Sequence, residues 1–228
     1  MKLIINHVTV LLLLAVSVCT YGQPRGQTDG INAGYKASGM QAQTWASRFE
    51  VEGREVFDFR NEIITSLGLE TGEQVADVGA GSGLFTPLLA NTVGRSGTVY
   101  AVDIIPQFIE FIENKVEEAG LTQVETVLSS ETSIELPTNS VDMVFTSDAY
   151  HHFVYYEDML ASIMSALRRG GELIIIEFDI DKAPNMATHV GGTKEEFTRQ
   201  VTTAGFELVE DFTLPAMETT FMRRFRKP

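Results

Sequence analysis

The chain has 228 residues, 44% hydrophobic and 21% charged, an ordinary globular composition with enough apolar material for one sizeable core. Its formal charge of −14 comes without any long lysine- or arginine-rich run. Attraction to phosphate backbones or anionic headgroups is therefore poor, and nucleic acid is disfavoured as a partner.

Lys2 precedes an apolar run from Val8 to Val18, followed by Cys19, Thr20, Tyr21 and Gly22, which is the pattern of an export signal. The run is shorter than the roughly 20 apolar residues that a spanning helix needs. Residues 1–22 are therefore expected to be a signal peptide, with a retained anchor as the alternative, and the domain to be exported to a periplasmic or extracellular space. Cys19 is the only cysteine, so a chain cleaved after Gly22 has no disulfide, no thiol nucleophile and no cysteine-ligated zinc. Residues 23–40 are rich in Gly, Gln and small polar residues without apolar periodicity and read as a flexible leader carrying no chemistry.

The folded body is expected over 41–228. Trp45, Phe49, Val56, Phe57, Ile63, Ile64 and Leu67 recur at helical spacing, interrupted near Gly53, and predict two helices ending at Gly68. Beyond Gly68, short β-branched runs alternate with helical stretches. Strands are predicted at 74–78, 98–102, 124–128, 141–146 and 172–178, with helices over 84–91, 106–119 and 157–167. Such alternation implies a parallel sheet covered on both faces. Thr193 and Glu196 have capping-box spacing and open a further helix closing at Gly205. Residues 206–212 and 219–225 then form an antiparallel closing pair.

The strongest local signal is V-A-D-V-G-A-G-S-G, Val75 to Gly83, where a buried strand turns into a helix. Glycines at 79, 81 and 83 let backbone N–H groups approach a ligand closely. Asp103 ends the second strand, where a carboxylate can accept both ribose hydroxyls of an adenosine. A dinucleotide fingerprint requires a glycine at position 84, where Leu84 stands, so a nicotinamide cofactor is disfavoured.

These residues, with A-V-D-I from Ala101, L-P-T-N-S-V-D-M-V-F from Leu136 and R-R-G-G-E-L-I-I-I-E from Arg168, resemble the successive motifs of the class I S-adenosylmethionine-dependent methyltransferases. Within them, the group that methylates quinones and small molecules is the most similar. The resemblance implies a Rossmann-like α/β fold with a doubly wound, mostly parallel sheet of seven strands and an antiparallel C-terminal strand. It implies S-adenosylmethionine as cofactor, with Asp77, Gly79, Ala80, Gly81 and Gly83 around the methionine moiety, Asp103 at the ribose and Ile104 against the adenine. The family's usual adenine-facing Asp is absent here, and Glu131 is its expected substitute.

The segment Ser147 to Phe153 follows the fourth strand at the carboxyl edge of the sheet and is expected to face the transferred methyl. His151 or His152 is a candidate base, with helix capping or packing as the alternative. Asp148 is a candidate for orienting cofactor or substrate. Asp148, Glu177 and Asp179 are chemically suited to magnesium, but the usual Asp-Asn pair after the fifth strand is missing, and no metal ligands are assigned. Trp45, Phe49 and Phe57 read as core, and Arg60 as an acceptor-binding candidate. The expected function is methyl transfer to a small or lipophilic acceptor; an NAD(P)-dependent oxidoreductase and a non-catalytic S-adenosylmethionine-binding protein are the alternatives.

Overall fold

The computed structural model describes residues 30–228; the expected signal segment and the start of the leader lie outside the described residues. Four helical pieces come first: α1 (Ala33–Lys36), α2 (Ala42–Phe49), α3 (Glu55–Asp58) and α4 (Arg60–Leu67). The second of the two helices expected here is split at Phe59, whose φ/ψ of −99°/16° breaks the helical run. Gly68 ends α4 in the left-handed conformation, φ 70°, as a C-terminal glycine does.

The α/β body follows as β1 (Gln74–Val78), α5 (Thr86–Val93), β2 (Thr98–Asp103), α6 (Pro106–Glu118), β3 (Val124–Leu128), β4 (Val141–Ser147), a 3₁₀ turn at Tyr150–His152, α7 (Tyr156–Ala166) and β5 (Leu167–Phe178). Next come a 3₁₀ turn at Pro184–Met186, α8 (Ala187–Val190), α9 (Lys194–Thr203), β6 (Glu207–Asp211) and β7 (Thr220–Arg226). The seven strands form one sheet in the order β3-β2-β1-β4-β5-β7-β6. The first five pair parallel and β7 runs antiparallel to both its neighbours. The fold class expected from the sequence is the one observed.

Side-chain alternation decides which residues meet which helices. Val75, Phe145, Ile174 and Ile176 point to the face where Ile63 and Leu67 of α4 and Leu89 and Val93 of α5 pack. Ala76, Val144, Leu173 and Ile175 point to the other, against Leu160 and Ile163 of α7 and Phe197 and Val201 of α9. Both faces are thus covered, which is why these strands read as continuous apolar runs. The capping box at Thr193 and Glu196 is present in full.

The chain winds outward from β1 in one direction and from β4 in the other, so the crevice beyond the carboxyl ends of β1 and β4 is a switch point where ligands of open α/β sheets bind. Among the described residues no helix is long and apolar enough to cross a membrane.

Candidate active site

At the end of β1 the chain turns sharply, and the turn stays tied to β2: Gly79 and Ala80 donate to the Val102 carbonyl at 2.8 and 3.1 Å. Gly79 and Gly81 both adopt positive φ, 73° and 55°. A side chain at Gly79 would put its Cβ 2.4 Å from that of Ala149, so the ends of β1 and β4 approach closely only because this residue is glycine. Asp103, at the end of β2, accepts the Gly81 N–H at 2.8 Å on one oxygen and the Ile105 N–H at 2.9 Å on the other. Asp77 is buried and accepts the Thr86 hydroxyl at 2.7 Å. Gly83 differs from the other turn glycines. It does not face the crevice, and its absent side chain makes room for Ile112 of α6, at 3.0 Å from where a Cβ would stand.

The N-terminal segment roofs this crevice. Residues 30–40, expected as part of a leader without chemistry, are folded onto the body from Gly30 onward: Tyr35 stacks obliquely on Trp45 at 4.6 Å, and Phe49 lies 6.1 Å from Phe108 of α6. An aromatic cluster of this size supplies the burial that the small polar residues around it lack. Glu50 locks the roof to the turn by accepting from Ser82 Oγ at 2.7 Å and from Lys115 Nζ at 2.9 Å.

Arg54 crosses from the roof to the floor, donating to the Phe49 carbonyl at 2.8 Å and to Asp148 Oδ2 at 2.6 Å. It takes the place expected of Arg60, which instead donates to the Phe57 carbonyl, stacks over the Phe57 ring and does not reach the crevice. Nothing in the local sequence separates the two arginines, because their difference arises from a contact 94 residues away.

The cavity measures about 440 Å³, within the roughly 300–1,000 Å³ of small-molecule sites. One end is walled by Asp77, Gly79, Ala80, Gly81, Asp103, Ile104 and Glu131, and the other by His151, His152, Phe178, Met186 and His189, with Asp148 between them. Glu131 stands at the rim, paired with Lys36 at 2.5 Å. Asp148 occupies a left-handed conformation, φ 49°, and its Oδ1, like the neighbouring Ser147 Oγ, is buried without a protein hydrogen-bond partner. Backbone strain at a residue lining the cavity marks this part of the wall as a functional candidate.

At the far end His151 is buried, with Nδ1 bound to both Glu177 oxygens at 2.6 and 2.8 Å and Nε2 3.0 Å from Nε2 of His189. His152 Nδ1 meets Asn32 Oδ1 at 2.9 Å. His189, on α8, carries no motif and was not singled out from the sequence. The carboxylates weighed for magnesium do not converge, since Asp148 pairs with Arg54, Glu177 with His151 and Asp179 with Lys182.

A family described as a methyltransferase domain matches residues 76–175. Over 112 residues the chain is 30% identical to the ubiquinone/menaquinone biosynthesis C-methyltransferase UbiE of Pseudomonas savastanoi, a match covering 49% of this chain and 44% of that protein. It is 26% identical over 124 residues to a demethylmenaquinone methyltransferase of Geobacillus, covering 54% and 53%. The solved structure of a SAM-dependent methyltransferase from Aquifex aeolicus is similar with a TM-score of 0.72 and 26% identity, over 81% of this chain and 98% of that one. Residues 76–175 are thus a methyltransferase domain, of the class I S-adenosylmethionine-dependent kind. The chain spans about half the length of the curated relatives it matches.

The methyltransferase domain implies S-adenosylmethionine as the cofactor. The residues present fit it: a glycine turn that a Cβ would obstruct and a carboxylate held at the end of β2. Burial raises Asp77 to about 7 and Asp103 to about 6, against the lowering effect of the hydrogen bonds each accepts. Asp148 is likewise raised to about 6 by burial, with Arg54 acting against the shift.

These shifts set a pH dependence of the ligand-free methyltransferase. A carboxyl whose folded pKa lies above its unfolded value near 3.9 favours folding when protonated. That contribution is full below about pH 4 and is lost as pH rises through 6 and 7. The ligand-free protein is therefore expected to melt at higher temperature at pH 5.5 than at pH 8. Asp77→Asn, which keeps an acceptor for Thr86, should raise stability at pH 8 by about 1–3 kcal/mol and flatten the profile in urea titrations. An unchanged profile would remove Asp77 as its source.

Arg54→Ala leaves Asp148 buried without its cation. Since one partner is partly solvated, we expect a loss of about 2 kcal/mol, below the several kcal/mol typical of fully buried pairs. Asp148→Asn in the same background should recover part of it in thermal melts, whereas additive losses would show that the pair is not coupled.

Proposed function

We propose that the protein transfers the methyl group of S-adenosylmethionine to a small, largely apolar acceptor seated at the histidine end of the cavity. The observation that carries this reading is that Asp103 and the glycine turn wall one end, and His151, His152 and His189 the other, of one continuous cavity. A donor and an acceptor placed there lie side by side, the arrangement a displacement at carbon needs.

When bound, the cofactor supplies an activated methyl on a sulfonium. The chain's own part is positioning. Asp103 and the backbone of the turn hold the adenosyl and methionine portions, Asp148 and Ala149 form the wall between the two ends, and the Tyr35, Trp45 and Phe49 roof excludes water. Phe153, Val154, Phe178 and Met186 give the acceptor end its apolar lining. The quinone pathways named for the relatives support a reduced aromatic ring bearing a hydroxyl as the acceptor class.

Calorimetric titration with S-adenosylmethionine and S-adenosylhomocysteine, followed by label transfer from methyl-labelled cofactor into a panel of hydroquinones and naphthols, tests the reading. Saturable binding and label in an acceptor are expected. No binding sinks the reading; binding without transfer to any apolar acceptor leaves a cofactor-binding protein. We also propose export, supported by Lys2 and the apolar run to Val18. The N-terminus of protein recovered from the extracytoplasmic fraction should begin after Gly22, and one beginning at Met1 would overturn cleavage.

A further inference from the structure

We propose that His151, His152 and His189 form a binding site for one zinc-type divalent ion at the acceptor end of the cavity. One ring nitrogen from each of the three lies within 4.8 Å of the others. The ring centroids are separated by 4.1, 4.7 and 5.4 Å. Zinc–imidazole bonds of about 2.05 Å in a tetrahedral set put ligand nitrogens roughly 3.3 Å apart. The 3.0 Å between Nε2 of His151 and Nε2 of His189 already approaches that spacing, and the His152 ligand nitrogen lies within 4.8 Å of the other two.

The surroundings of the rings match what metal-bound imidazoles need. A ligating histidine almost always donates its second ring N–H to a carboxylate or carbonyl-type oxygen, which settles the tautomer and aims the other nitrogen at the ion. His151 has the Glu177 carboxylate in that role and His152 has Asn32 Oδ1, both at Nδ1. The same outer contacts hold these two rings from different elements, β5 and the N-terminal roof, while His189 comes from α8. Three imidazoles with no thiolate or carboxylate among them are a nitrogen set suited to zinc, cobalt or nickel rather than to magnesium. Three protein ligands leave an ion of this kind a position for a substrate or water, as catalytic sites do.

Resting on the methyl-transfer reading, the consequence is that an acceptor hydroxyl binds at that position. An oxygen on such an ion would lose its proton to water at the cavity mouth near neutral pH, and the acceptor then attacks the sulfonium methyl, the new bond to methyl forming as the methyl–sulfur bond breaks and S-adenosylhomocysteine leaves. The three histidines are then positioning and activating ligands.

The test uses untagged full-length protein, stripped with chelator and titrated with Co²⁺, whose visible absorption reports tetrahedral nitrogen ligation, and then with Zn²⁺ in competition. We expect one ion per chain. His189→Ala and His152→Ala should each weaken binding by about 100-fold or more, and Glu177→Gln by about 10- to 100-fold. S-adenosylmethionine affinity in His189→Ala, measured in parallel, should stay within about threefold of the parent, which shows that the fold is intact. No saturable Co²⁺ binding overturns the site. Equal affinity in the parent and His189→Ala overturns it as well. Cobalt binding in a protein that does not bind S-adenosylmethionine would sustain the metal site while sinking the methyl-transfer reading.

Discussion

Gly79→Ala is expected to cost the fold about 3 kcal/mol or more, whereas Gly81→Ala, two residues away in the same turn, should cost only about 1 kcal/mol. The backbone penalty is shared: both residues sit at positive φ, where an L side chain is strained by about 1–2 kcal/mol. Packing separates them. The new Cβ at 79 falls 2.4 Å from the Cβ of Ala149, and neither side can yield, because Gly79 is held to Val102 from β2 and Ala149 leads into the buried Tyr150–His152 turn. Overlap of this kind in a closely packed region adds about 1–3 kcal/mol. At 81 the new Cβ meets only the Phe49 ring, at 3.5 Å, an ordinary contact. It does, however, occupy space between the turn and the aromatic roof. Gly81→Ala should therefore fold nearly normally and bind S-adenosylmethionine at least about tenfold more weakly. Urea denaturation and calorimetry on the two variants check both halves. Equal stabilities would mean that β1 and β4 are not pressed together at this point.

Asp103→Ala should abolish measurable cofactor binding at ordinary titration concentrations, with a loss on the order of 100-fold or more. Hydrogen bonds to a charged group contribute about 1.5–3 kcal/mol each, and every 1.4 kcal/mol is tenfold in affinity. Asp103→Asn offers little rescue. Each carboxylate oxygen already accepts a backbone N–H, from Gly81 and from Ile105, so an amide NH₂ placed at either position faces a donor instead of an acceptor. A glutamine or asparagine variant that binds normally would remove Asp103 from the site.

The same residue ties affinity to pH in the direction opposite to stability. On the proposed reading, ribose hydroxyls donate to the ionised Asp103 carboxylate, and Asp77 toward the methionine end favours a cationic partner when ionised. With the two groups at about 6 and about 7, S-adenosylmethionine affinity should rise from pH 5.5 to pH 8 while the ligand-free protein becomes less stable over that range. Buried carboxylates that burden the empty fold and serve the filled one explain why both trends come from the same residues.

The seven strands, the glycine turn, the carboxylate at Asp103 and the capping box at Thr193 were all determined by the sequence alone. Each is written in neighbouring residues: β-branched runs pair into a sheet, glycines mark the turn that follows β1, and Thr193 and Glu196 need only helical spacing to meet. The order of the strands, β3-β2-β1-β4-β5-β7-β6, is a tertiary outcome, since the same alternation of strands and helices supports more than one order.

What surrounds the site had no such local code. Residues 30–40 look like linker until Tyr35 finds Trp45, and Arg54 is indistinguishable from Arg60 until folding brings Asp148 beside it. Gly83 reads as a third ligand-facing glycine until Ile112 is seen against it. His151 and His152 are adjacent in the chain, yet the third histidine of their cluster arrives on α8, 38 residues beyond His151. These pairings join segments that approach only because the sheet and its two helical layers are already packed. Their partners are selected by three-dimensional proximity, for which a single sequence carries no periodicity and no fixed spacing.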